Sequence, residues 1–195
     1  MSQYSCDTLV IGSGPGGSMT AALLAEAGVD VLLVEEGQSL SVDSSRDHSL
    51  AQMDEKWRSG GLTAALGSPK VTYVEGRCVG GASESNAGLY HPPIADVLES
   101  WAERYQINDF GADALAPHLQ RVVDEIGVSK RPNGFSPASD RLAEGATKMG
   151  WRWAEIERFW HYSDQGYGQR RSMSETMIPR ALSAGARLLA DTRID

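Results

Sequence analysis

Residues 6–37 read CDTLVIGSGPGGSMTAALLAEAGVDVLLVEEG, and the order of residue types in this stretch decides the fold. CDTLVIG is a short apolar run, rich in branched side chains, that stops at Gly12 as a buried parallel strand does. PGGSMTAALLAEAG continues as a helix of Ala, Leu and Met with Gly28 placed to end it. VDVLLVEEG is a second buried strand closing on Glu35 and Glu36. Strand, glycine turn, helix and strand make one βαβ unit, whose crossover is expected to be right-handed. The fold class is therefore α/β, a Rossmann-like domain of parallel strands and helices.

The turn between the first strand and the helix is Gly12, Ser13, Gly14, Pro15, Gly16 and Gly17, a GxGxxG pattern. Gly12 permits the tight turn, Gly14 lets backbone approach a pyrophosphate, and Gly17 lets helix and strand pack closely. The helix N-terminus adds free N–H groups and the positive end of a dipole. Glu35 stands where a dinucleotide fold needs an acid to accept hydrogen bonds from ribose hydroxyls, which disfavours a 2′-phosphate and so NADP. Its neighbour Glu36, also counted on the cofactor side, is expected to face solvent.

A second glycine-rich loop, GRCVGGASESNAG, spans residues 76–88. Its Gly76, Arg77, Gly80, Gly81, Ser83 and Asn86 resemble the flavin loop of the glucose-methanol-choline (GMC) oxidoreductases, which runs roughly G-[RK]-x-[LV]-G-G-x-S-x-x-N. The likeness extends to VEEG, where that family commonly has LEAG, to the helix ESWAERY, and to SETMIPRA before the last strand. The resemblance implies FAD as cofactor, with the first loop and Glu35 at the pyrophosphate and adenosine ribose and the second loop along the pyrophosphate and flavin. Gly80 and Gly81 would offer backbone N–H groups, Ser83 and Asn86 side-chain hydrogen bonds, Ala87 and Gly88 a small surface beside the ring, and backbone near Ile194 a contact to adenine. Some members tether FAD through a histidine one position before the asparagine; Ser85 stands there, so FAD is expected to be noncovalent. Cys78, inside the loop, reads as a buried structural thiol.

Along the rest of the chain, residues 38–67 read as a surface excursion with a helix through SLAQMDEKWRSGG, and PKVTYVEGR as a strand into the second loop. Residues 94–129 hold two helices parted by the NDFGAD turn, which is placed to cap the second. KRPNGFSPAS, at 130–139, is the linker candidate. A helix, the aromatic segment GWRWAEIERFWHY, a glycine turn, another helix and the strand ARLLADTRID follow. With the resemblance, this predicts the N-terminal part of the FAD-binding domain at 1–129, the start of a substrate domain at 130–172 and a return to the FAD domain at 173–195. It further implies a longer enzyme whose catalytic histidine, with a second His or Asn, lies beyond residue 195.

Composition excludes several classes. A net charge of -8 without a basic block argues against nucleic acid or anionic membrane as partner. No apolar run approaches a membrane span, and the first residues lack a basic n-region, so the cytoplasm is the expected compartment. Cys6 and Cys78 form no CxxC pair, and His48, His91, His118 and His161 are scattered singly, without a zinc pattern. Arg46, Asp47 and His48 read as a solvated loop. The aromatic segment reads first as core, and as the wall of an apolar substrate cavity in the sharper alternative.

Three functions remain open at this point. The first is an FAD-dependent alcohol oxidase or dehydrogenase, in which a base takes the hydroxyl proton of a CH–OH substrate and hydride passes to flavin N5; its partner would be a small-molecule alcohol, an apolar one being slightly favoured. The others are an NAD-dependent dehydrogenase and a non-catalytic dinucleotide-binding module.

Overall fold

The computed structural model describes residues 3–41, 44–46, 49–132, 134–164 and 166–195, so Asp47 and His48 lie outside the described residues. The chain divides into two units, one formed by Met1–Ala87 with Ser172–Asp195 and the other by Gly88–Arg171.

In the first unit, β1 (Thr8–Ile11), α1 (Pro15–Glu26) and β2 (Val31–Val34) are the βαβ unit that the sequence predicts. β2 lies between β1 and β9 (Arg187–Leu189) in a parallel three-stranded sheet. All four residues of β2 are buried, each aliphatic side chain contributing about 1.5–3 kcal/mol. α1 buries Ser18, Ala21, Ala22 and Ala25. Side chains this small bring it close to α6 (Met177–Ser183), which buries Met177, Ile178 and Ala181. Gly28 ends α1 at φ +85°, a conformation that favours glycine, and its N–H returns to the Ala25 carbonyl.

The excursion between β2 and the second loop contains α2 (Leu50–Lys56), whose N-cap Ser49 accepts the Gln52 N–H at 3.1 Å, and a 3₁₀ turn at Arg58–Gly61. β3 (Thr63–Ala65) and β4 (Val71–Tyr73) then form an antiparallel hairpin. The strand expected through PKVTYVEGR is shorter than its pattern because the backbone leaves the hairpin: the Glu75 carbonyl accepts from Arg58 N–H, and Arg77 N–H donates to the Lys56 carbonyl.

The second unit holds β5 (Leu89–Tyr90), α3 (Ala95–Tyr105), α4 (Ala112–Ile126), α5 (Pro137–Lys148), β6 (Glu157–Arg158), β7 (Trp160–Tyr162) and β8 (Gly168–Arg170). The pairs β5–β6 and β7–β8 are antiparallel. The start of α4 is capped not by the NDFGAD turn but by Glu99 of α3, which accepts the Ala112 N–H at 2.8 Å. No helix among the described residues is long and apolar enough to cross a membrane.

Several sequence expectations differ from this architecture. The first unit closes after Ala87, not at 129: β5 pairs with β6, and Ser129 exchanges backbone hydrogen bonds of 2.8 and 2.9 Å with Arg158, so residues 88–129 fold with those that follow them. The second boundary, at Arg171–Ser172, lies one residue before the expected one. The linker is also shorter than its composition suggests, since Ser136 caps α5 by accepting the Ser139 N–H and Pro137 opens the helix. In the aromatic segment Phe159, Trp160 and Tyr162 are half-buried, whereas Trp151 and Trp153 are 64% and 49% exposed.

Candidate functional site

The first glycine loop opens where β1 ends. Gly12 sits at φ +89°, and a Cβ on Gly17 would lie 1.9 Å from the Gly12 carbonyl oxygen, so only glycine lets α1 fold back onto the turn. Gly14 and Gly16 differ, because a Cβ on either would meet no described atom within 4 Å. Gly14 is the N-cap of α1 without a side-chain capping bond, and the first turn carries no acidic residue. Open backbone therefore faces open space at the positive end of the helix.

Glu35 is buried at the end of β2. Its Oε2 accepts the Ser13 N–H at 2.9 Å and the Ser13 hydroxyl at 2.7 Å, and its Oε1 accepts the Gly37 N–H at 2.8 Å. Ser13 Oγ in turn accepts the Gly80 N–H at 3.0 Å. The second loop docks on the first through glycines: a Cβ on Gly81, at φ +57°, would lie 2.8 Å from the Gly14 Cα, and one on Gly76 would lie 2.3 Å from the Gly81 carbonyl carbon.

Together these elements enclose a cavity of about 660 Å³. Of the residues that the sequence singles out, Gly12, Gly14, Pro15, Glu35, Glu36, Gly81 and Ile194 line it. Several others do not, for identifiable reasons. Ser13 is fully buried beneath the turn, and Gly17 packs against Gly12. The N–H groups of Gly80 and Gly81, expected to reach a ligand, are taken by Ser13 Oγ and by the Cys78 carbonyl at 2.8 Å. Ser83, expected to bond a ligand, is buried; its hydroxyl donates to the Gly80 carbonyl at 2.7 Å and accepts the Met173 N–H at 2.9 Å, pinning the loop to the returning chain. Asn86 and Ala87 are exposed beyond the loop's 3₁₀ turn, Gly16 is exposed on α1, and Gly88 begins the second unit.

Glu36 keeps part of its side chain open to solvent, as expected, and is in addition paired with arginines. Arg58 Nη2 donates to it at 2.9 Å, Arg77 Nε at 3.2 Å, and Arg58 Nε also holds Glu75 at 2.6 Å. The hydrogen bond from Arg58, with the charges of Arg58, Arg77 and Arg193, holds the Glu36 carboxyl below its usual range, and both glutamates raise Arg58. Sequence reasoning missed Arg58, which sits in the polar excursion where nothing local marks it. It also missed Glu84, a buried carboxylate in the second loop that accepts the Ser174 N–H at 3.2 Å.

The pattern for the family described as GMC oxidoreductase matches residues 53–195, and one for an FAD binding domain matches residues 5–90. The chain belongs to the GMC oxidoreductase family. A GMC-type oxidoreductase of Sinorhizobium fredii is 34% identical over 99% of this chain, and a long-chain-alcohol oxidase of Arabidopsis thaliana is 29% identical over 97% of it. The chain spans 40% of the length of the first and 26% of the second. The crystal structure of a pyridoxine 4-oxidase from Mesorbium loti superposes with a TM-score of 0.75 at 19% identity, covering 97% of this chain and 43% of that one, a likeness of fold. The FAD-binding, Rossmann-like reading of the sequence thus stands.

The residues present fit FAD in this GMC chain. The uncapped start of α1 with open space at Gly14 suits a diphosphate, and the buried carboxylate of Glu35 at the cavity wall suits a ribose diol.

Proposed function

We propose that this chain supplies the FAD-binding part of an enzyme that oxidises the CH–OH group of an alcohol. The observation that carries the proposal is the docking of the two glycine loops around one cavity that Glu35 and the open start of α1 both line. Bound FAD would supply the acceptor for the hydride that leaves the alcohol carbon. The chain's own residues do the holding: the α1 N-terminus and Gly14 take the pyrophosphate, Glu35 accepts from the adenosine ribose, and the backbone at Ile194 borders the adenine end. Ser85, in place of the tethering histidine, supports a noncovalent cofactor.

An apolar alcohol is the proposed substrate class. The long-chain-alcohol oxidases of Arabidopsis thaliana support it, as does a cholesterol oxidase of Mycobacterium tuberculosis that is 34% identical over 74% of this chain. The test is to purify the complete gene product, record its flavin spectrum and offer it alcohols of graded chain length without oxygen. Reduction by long-chain or sterol alcohols in preference to sugars and choline is the expected result, and the opposite preference removes the apolar assignment.

A further inference from the structure

Ser13 occupies the variable position between the first two glycines, where a dinucleotide loop needs only a small residue. It is nevertheless a junction. Fully buried, it directs both its N–H and its hydroxyl to Glu35 Oε2 and accepts the Gly80 N–H on the same hydroxyl, while its carbonyl accepts from the Ser18 hydroxyl. One side chain thereby joins the turn after β1, the end of β2 and the second glycine loop. Glu35 lines the cavity, and with Gly37 N–H on its other oxygen the carboxylate is gripped from both ends. A carboxylate accepts about four hydrogen bonds, so three internal donors leave capacity for a ligand in one fixed orientation.

The geometry points to Ser13 as a positioning residue that aims the Glu35 carboxylate at the ribose hydroxyls of the cofactor and couples that aim to the seating of the second loop. This rests on the FAD reading above. Removing the hydroxyl would leave Glu35 Oε2 held by the Ser13 N–H alone, loosening its aim, and leave the Gly80 N–H buried without an acceptor, while the ring of contacts formed by glycine backbone would persist.

The test uses the complete gene product stripped of flavin, with ADP and 2′-deoxy-ADP as calorimetric probes that differ only in a ribose hydroxyl. Wild type is expected to prefer ADP by about tenfold, the scale of one hydrogen bond to a charged group. Ser13→Ala should reduce that preference to about twofold, Glu35→Gln should do the same, and the double variant should lose nothing more. Ser13→Cys, similar in size and a much weaker donor, gives the same reading if Ser13→Ala does not fold. An equal loss of affinity for both probes in the Ser13 variants would make the residue merely structural and overturn the proposal. Wild type that binds neither ADP nor FAD would instead remove the FAD reading, and this inference with it.

Discussion

Gly81 rests on Gly14 with no room for a side chain between them, since a Cβ on Gly81 would fall 2.8 Å from the Gly14 Cα. The two glycine loops thus meet backbone to backbone, and the glycines around the cavity serve two different ends. Gly17, Gly76 and Gly81 are glycine because protein backbone lies where a Cβ would go, whereas Gly14 and Gly16 border open space.

This separates folding from binding. Gly17→Ala would drive a methyl into the Gly12 carbonyl, and Gly81→Ala would strain a positive φ and push the loops apart, so both should lower the melting temperature by several degrees. Gly14→Ala should leave the melting temperature of the flavin-free protein near wild type and weaken FAD binding by about tenfold or more, because the added methyl enters the space where a pyrophosphate would lie. Equal destabilisation of the flavin-free protein by all three would show that Gly14 is structural as well.

Glu35 and Glu36 are neighbours with different occupations, the first held by three donors from Ser13 and Gly37 and the second by Arg58 and Arg77. Glu35→Ala should cost about ten- to a hundredfold in FAD affinity, the scale of a charged hydrogen bond. Glu36→Ala should stay within about threefold, since its ion pairs are open to solvent. Fluorescence titration of flavin-free protein gives the ranking, and the reverse order would mean that the wrong carboxylate is assigned to the ribose.

The Arg58–Glu36 pair predicts a pH dependence of definite sign. The folded carboxyl lies below its ordinary value of 4.5, so folding favours the charged form. Its contribution to stability is present above 4.5 and is lost as pH falls through the lower folded value. Carboxyl NMR titration should place the Glu36 midpoint below 4.5, and Arg58→Ala should move it upward. A midpoint unchanged by that substitution would show that the pair is not formed in solution.

What the sequence reveals and what it hides follow from the range of the interactions. β1, α1 and β2 are legible because branched runs, alanine content and glycine stops are local signals, and Gly17 does what its place in GxGxxG requires. The second loop is legible as a motif, but the use of its polar groups is not. Whether Ser83 bonds a ligand or Met173, and whether Gly80 N–H points outward or to Ser13, depends on partners far away in the chain that no local pattern announces. The division after Ala87 is hidden for the same reason, because the short strands β5 and β6 carry almost no periodicity of their own. Arg58 is concealed by its setting, a polar excursion in which an arginine paired with Glu36 and Glu75 looks like any solvated one.

Ser85 leads to a prediction about the cofactor linkage. Acid precipitation of the complete gene product should leave its yellow colour in the supernatant, as released FAD. Colour that stays with the pellet would reveal a covalent bond formed by some other residue.

The decisive measurement is anaerobic reduction of the bound flavin by an alcohol. The complete gene product should be purified with FAD, freed of oxygen and mixed with primary and secondary alcohols that include long-chain and sterol members. Bleaching of the oxidised flavin band by at least one of them, with one aldehyde or ketone formed per flavin reduced, is the expected result. Protein that carries no FAD, or FAD that no alcohol in the panel reduces while dithionite does, would contradict an alcohol-oxidising role for the site built from these two loops.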